Sequence, residues 1–212
     1  MEDRVNIDVL VYNNVEELDF IGPIEIFGKV NDVSNDRKVS IRLMSLKKMI
    51  KCKHGTKIIS DPLNSERYGD VLVIPGGPGA REDKKDIKEL IDFISLNHNN
   101  YRYVLSICTG AFLLAKAGLL RYKNCVTHTL YQKELKRIEG SINLIDKRVV
   151  MDGNIITSKG VCAGIDAALF LVKIIFKDKI AKEIIKRIEY NLSLSEVLAN
   201  GFISGRGDIY EV

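Results

Sequence analysis

The chain alternates short, continuous apolar runs with longer stretches of helical periodicity. Residues 5–12 (VNIDVLVY), 39–46 (VSIRLMSL), the apolar start of 70–79 (DVLVIPGGPG) and 103–107 (YVLSI) are rich in β-branched residues and predict strands. Pro23 opens a periodic segment, PIEIFGKV, as proline does at a first helical position. Ile87, Leu90, Ile91 and Ile94 set helical spacing over residues 86–96, and further helices are predicted at 110–120, 130–138, 160–176 and 180–190. Residues 141–145 and 148–158 predict strands, the second folded into a hairpin at Asp152-Gly153. A hairpin-like patch surrounds His54-Gly55. Strands that are apolar throughout, and that alternate with helices, imply a mostly parallel sheet covered on both faces: a doubly wound α/β fold. With no repeat and no low-complexity linker, the expectation is a single domain over residues 1–212.

Composition narrows the function classes. The chain is 46% hydrophobic and 28% charged, with a net charge of +4. Its basic residues are dispersed, apart from KKMIKCK at residues 47–53 and a Lys-rich region at 173–187. A nucleic-acid binder shows a denser stripe with interleaved aromatics, so none is expected here. No apolar run is long enough for a membrane span, and MEDRVNIDVL lacks the layout of a signal peptide, so a cytoplasmic protein without membrane partners is expected. The four cysteines are far apart and lack C-x-x-C spacing, which argues against disulfides and zinc. Cys52 and His54 make only a weak C-x-H pair, and no metal or cofactor is expected. The Arg206-Gly207-Asp208 tripeptide and the sequon at Asn191 are chance matches.

Ligands of such sheets bind outside the carboxyl ends of the strands. Those ends here carry residues 13–19, PGGPG at 75–79, and Cys108-Thr109-Gly110. Cys108 stands one residue before a helix start, where free amides and the helix dipole favour thiolate over thiol. A sharp strand-to-helix turn exposes a nucleophile, and the Thr109 amide points to where an oxyanion would form. Gly76 or Gly77 offers a second amide. Asp19 is followed by Phe20, Ile21 and Gly22, an apolar setting that raises a carboxyl pKa and suits a general acid. Glu16 and Glu17 read as a solvated loop, and Glu25 as a helix-start charge. His128, in CVTHT, has an interior context and is expected to play a structural or supporting role. Cys125 and Cys162 read as packing residues.

Five segments, in order, carry a resemblance: IDVLVYNNVEELDFIGPIEIF, DVLVIPGGPGA, VLSICTGAFLLAKAGLL, VTHT and ITSKGVCAGIDAALFLV. They resemble the DJ-1/PfpI (ThiJ) superfamily, and within it the isonitrile hydratase-like branch, also found as the N-terminal domain of some AraC-type regulators. The resemblance spans residues 7–172. It implies a flavodoxin-like fold of the class I glutamine amidotransferase type, a homodimer, and a small-molecule substrate. By motif it implies Cys108 as nucleophile, Asp19 as its acid partner, Thr109 as a positioning residue, and an amide donor in Gly76-Gly77. Thr109 stands where peptidases of the superfamily carry histidine, which argues against peptidase activity. Asp19 stands where DJ-1-like members carry glutamate. The expectation is a cysteine-dependent hydratase or hydrolase, with a non-catalytic redox or ligand sensor as the alternative and a glyoxalase or deglycase role below both.

Overall fold

The strand β1 (Asp3–Leu10) alternates fully buried Val5, Ile7 and Val9 with one buried acid, Asp8. That carboxylate is satisfied in full: Arg42 donates Nε and Nη2 to it at 3.0 and 2.9 Å, Tyr101 its hydroxyl at 3.0 Å, and Gly69 its amide at 2.8 Å. A charge with four donors is tolerated inside a sheet where an unpaired one is not. The computed structural model describes residues 3–63, 67–205 and 207–208; Met1 and Glu2 of the N-terminal stretch, and Arg206 of the Arg-Gly-Asp tripeptide, lie outside the described residues.

From β1 the chain passes through α1 (Glu17–Val33) to β2 (Arg37–Ser45), then a small hairpin, β3 (Met49–Lys51) and β4 (Lys57–Ile59), and the short β5 (Asp61–Pro62). It re-enters the sheet as β6 (Val71–Ile74), crosses by α2 (Lys85–Asn97) to β7 (Tyr103–Ile107), and leaves through α3 (Ala111–Lys116). Next come β8 (Asn124–Cys125), α4 (Gln132–Ile138), β9 (Asn143–Leu144), and the hairpin of β10 (Val149–Asp152) with β11 (Ile155–Ser158). The long α5 (Ala163–Arg187), α6 (Leu194–Ala199), β12 (Gly201–Ile203) and β13 (Gly207–Asp208) complete the described chain.

The main sheet orders these strands β13-β12-β10-β11-β7-β6-β1-β2-β5. From β11 to β5 neighbouring strands are parallel, while β10 runs against β11. β6 and β7 are buried at every residue, as strands covered on both faces must be. α1 packs on α5, whereas α2 packs on α3 and α3 on α4. The fold is the expected mostly parallel α/β sheet with helices around it. Because β1 connects outward to β2 and β6 connects the opposite way to β7, their crossovers diverge and leave a crevice at the carboxyl ends of β1, β6 and β7.

Several boundaries differ from expectation. Helix α1 starts at Glu17, with Pro23 inside it, so Asp19 sits in the first helical turn rather than in a loop. Proline there gives up the hydrogen bond that residue 23 would have donated to the Asp19 carbonyl and crowds that carbonyl with its ring. Helix α3 stops at Lys116 because Gly118, at φ 81°, takes the left-handed conformation that ends helices. Residues 141–145 form only the two-residue β9, paired with β8. The two helices predicted at 160–176 and 180–190 are both present as the two parts of α5, which breaks at Lys177 (φ 74°). Helix α6, with a Ser193–Glu196 capping box, and β12, which pairs with β10, were not anticipated.

Asp166, wholly buried on α5, accepts from Arg148 Nε at 2.5 Å and from the Tyr190 hydroxyl at 2.8 Å, pinning the helix to the start of β10. Asp166→Ala strands both donors and should cost about 3 kcal/mol, a value that allows for a partly solvated Arg148. Chemical denaturation would read it; a loss below about 1 kcal/mol would show that this anchor is not structural.

Candidate active site

The last residue of β7, Ile107, is extended, but Cys108 has φ 54°, in the left-handed region that non-glycine residues avoid. Three backbone contacts impose this. The Cys108 N–H donates to the Lys159 carbonyl at 2.8 Å, its carbonyl accepts the Thr127 hydroxyl at 2.7 Å, and Gly110 presses against the end of β6. A Cβ on Gly110 would lie 2.1 Å from the Ile74 carbonyl oxygen, so only glycine permits the turn to sit there. The result is a cysteine held at an elbow between β7 and α3, with its sulfur accepting from the backbone N–H groups of Thr109 and Val161.

Asp19, completely buried in the first turn of α1, faces this elbow. Its Oδ2 accepts the Gly76 N–H at 2.9 Å; its Oδ1 is buried with no hydrogen-bond partner among the described residues. Burial, opposed by the Gly76 hydrogen bond and assisted by Glu16, raises the Asp19 pKa to about 7. The apolar setting read from the sequence therefore has the anticipated effect. The thiol departs from expectation. Burial, and next the Asp19 charge, push Cys108 up to about 12 against the lowering effect of the amides. Amides at a helix start favour thiolate, but here desolvation and a neighbouring carboxylate outweigh them.

The glycine-rich turn is used differently from the sequence expectation. The Gly76 N–H is committed to Asp19, and the Gly77 N–H donates to Thr109 Oγ1 at 2.9 Å, which in turn donates to the Gly77 carbonyl at 3.1 Å. Neither glycine amide is free for an oxyanion, because both lock the turn to the acid and the elbow. The amides that reach the sulfur are those of Thr109 and Val161. A Cβ on Gly76 would stand 2.5 Å from the Thr109 nitrogen and 2.8 Å from Asp19 Oδ2, so this position must stay bare for acid and elbow to approach.

Cys108 opens onto a cleft of roughly 680 Å3 whose walls include Glu16, Lys53, Arg81, His128 and Tyr131. His128 is half-buried against Gly160; its Nδ1 accepts the Leu130 N–H at 3.2 Å and its ring lies 5.4 Å from that of Tyr131. It shapes the wall and shares no hydrogen bond with Cys108 among the described residues. Glu16 is not a solvated loop charge: it pairs with Lys53 at 2.7 Å and with His54 Nε2 at 2.9 Å on the rim. Glu16, Glu17 and His54 offer ligand atoms within 4.8 Å of one another, the one group among the described residues that could hold a metal, but Lys53 already engages Glu16. Cys52 is not among these ligand groups; it is buried, and burial, with the Glu17 charge next, raises its pKa to about 11. Glu25 pairs with Lys29 on the far side of α1. Cys125 is buried, as expected, whereas Cys162 is exposed.

Two contributors escaped the sequence reading. Tyr12, buried at the end of the first predicted strand, donates its hydroxyl to the Pro75 carbonyl at 2.5 Å and holds the glycine-rich turn. Its position as an aromatic at a strand's carboxyl end was a usable signal. Val161 acts through its backbone, which leaves no side-chain signature.

The architecture is that of a flavodoxin-like sheet carrying a cysteine elbow faced by an acid. The DJ-1/PfpI family profile matches residues 5–174, and the chain belongs to that family. It is 32% identical over 189 residues to an isonitrile hydratase of Pseudomonas putida, covering 88% of this chain and 78% of that protein. Protein DJ-1alpha of Drosophila melanogaster is 30% identical over 141 residues, 65% of this chain and 64% of that one. Among solved structures, a ThiJ/PfpI family protein from Pseudomonas syringae superposes with a TM-score of 0.77 at 25% identity, covering 91% of this chain and 77% of the other. No helix among the described residues is long and apolar enough to cross a membrane.

Asp19 has its pKa raised from 3.8 in folding, so its charged form is disfavoured in the native state. Its contribution to stability therefore declines as pH rises through the interval from 3.8 to about 7. Asp19→Asn should melt higher than wild type at pH 8 and close to it at pH 4. Thermal melts across that range check the sign; a variant less stable at pH 8 would overturn it.

Proposed function

We propose that this protein hydrates isonitriles to N-substituted formamides through a covalent intermediate on Cys108. The observation that carries the reading is the Asp19 carboxyl, buried with one oxygen unpartnered, facing a cysteine strained into an open elbow. Between the two groups, one mobile proton suffices. With Asp19 ionised, the thiol proton passes to the carboxylate and the thiolate sulfur attacks the terminal carbon of the isonitrile. Asp19 returns that proton to the same carbon, giving a thioimidate in which carbon carries hydrogen, sulfur and the imine nitrogen. Water then adds to that carbon, and Asp19 takes one of its protons and passes it to the nitrogen; the carbon–sulfur bond breaks as the carbonyl forms, and Asp19 relays the second water proton to the departing sulfur. The products are the formamide and the regenerated thiol. The Thr109 and Val161 amides hold the sulfur as it acquires charge and as it leaves. The likeness to an isonitrile hydratase supports the same chemistry. A homodimer acting on a small molecule belongs to this reading.

The competing reading, an oxidation sensor, requires a readily formed thiolate. Burial and Asp19 push the Cys108 thiol up to about 12, which opposes a standing thiolate and with it ready reactivity toward peroxide.

Turnover of a panel of alkyl isonitriles, followed by formamide production, tests the activity. Wild type should turn over, and Cys108→Ser should lose at least about a thousandfold, the scale on which removal of a nucleophile is felt. Equal turnover by Cys108→Ser, or none by wild type, would sink the reading. The reactive pair carries one proton, so kcat/KM should fall roughly tenfold per pH unit below about 7, where Asp19 is protonated while the thiol is retained. A flat profile between pH 5 and 7 would remove Asp19 from the proton transfer.

A further inference from the structure

Two cations line the cleft beside Cys108, and their surroundings differ. Lys53 is neutralised: its Nζ lies 2.7 Å from Glu16, a carboxylate only 13% exposed that also binds His54. Arg81 ends the turn Pro78–Arg81 that follows the glycine pair, and is held loosely by charge but firmly by shape. Its guanidinium carbon lies over the Tyr131 ring, 4.0 Å from the centroid. It meets its counter-ion, Glu134, through Nη1 alone, at 3.2 Å, and that carboxylate is 43% exposed. Its Nε is buried and has no hydrogen-bond partner among the described residues.

A buried donor without an acceptor is costly and rare in native proteins. A guanidinium held over an aromatic ring is also fixed in place, so the part of Arg81 that lines the cleft meets a substrate without further ordering cost. A substrate carboxylate that meets this cleft-facing part gains a charge-assisted hydrogen bond. We propose that Arg81 is the specificity residue of this cleft and that it anchors a carboxylate on the substrate, making the preferred substrate class an isonitrile whose substituent ends in an acid. The inference rests on the reaction proposed above and adds the substrate's other end. Glu134 then competes with the substrate for the same guanidinium.

The test compares isocyanoacetate with its methyl ester, which lacks the charge, in wild type, Arg81→Met and Glu134→Gln. Binding of the corresponding products, N-formylglycine and its methyl ester, is measured calorimetrically on the same proteins. Wild type should prefer the acid by about tenfold or more in kcat/KM, expressed in KM, the scale of one charge-assisted contact. That ratio should collapse toward one in Arg81→Met and rise in Glu134→Gln, and N-formylglycine affinity should follow. If Arg81→Met fails to fold, the rise in Glu134→Gln decides. An acid-to-ester ratio near one in wild type, or one that neither variant changes, overturns the anchor while leaving hydration intact. Arg81-dependent binding of N-formylglycine without turnover of either isonitrile overturns hydration and keeps the anchor. Neither turnover nor selective binding overturns both.

Discussion

A carboxyl group sealed from water beside a thiol is the constraint on which the rest of this structure depends. Asp19 has one backbone amide to stabilise its charge against burial, so it keeps its proton to a higher pH than an exposed carboxyl, and its neighbour's sulfur is deprived of easy ionisation. Each element around it can be understood as holding that arrangement in place. The Gly76 amide fixes one carboxyl oxygen, Thr109 ties the glycine turn to the elbow, and Tyr12 braces the turn from behind. The backbone strain at Cys108 persists because the contacts to Lys159, Thr127 and the end of β6 over-determine it.

The sheet order converts this local chemistry into a fold requirement. Asp19, Gly76 and Cys108 lie far apart in sequence and meet because β1, β6 and β7 are adjacent with their carboxyl ends aligned. The fourth contributor, the Val161 amide, arrives from the opposite direction, after β11 and before α5. The Asp166 anchor a turn further on fixes where that amide sits. Stability and chemistry are therefore coupled through α5, though Asp166 itself touches none of the reacting groups.

Much of this was legible in the sequence, for identifiable reasons. β6 and β7, buried on both faces, leave nearly unbroken apolar runs, and β1 and β2 place β-branched or apolar residues at alternate positions, so all four strands declared themselves; the strand-end rule then brought Cys108, Asp19 and Gly76 together. Helix limits were less legible. Pro23 mimicked a helix start because the first helical position is the one proline favours, and Gly118 ended α3 inside an apolar stretch that continues to Leu120. The thiol's acidity was misjudged because a helix start is visible in a sequence whereas the depth of burial is not. The amides of Gly76 and Gly77 looked available because hydrogen-bond partners cannot be read from composition. Arg81 gave no signal at all: its meaning comes from Tyr131 and Glu134, brought beside it only by folding.

The two margins of the sheet remain. At one, β5 consists of Asp61 and Pro62, both exposed; a charge and a residue with no N–H offer a poor template for another strand. At the other, the hairpin strand β10 is covered by β12, whose three residues pair with Val149–Met151, and the two-residue β13 pairs with β12 at the edge itself. Without that short strand, three consecutive apolar positions of β10 would present unpaired backbone groups to solvent, a template for adhesion between molecules. The C-terminal segment therefore acts as a guard against self-association, and a chain cut before Gly201 would keep its reactive cleft while losing colloidal stability.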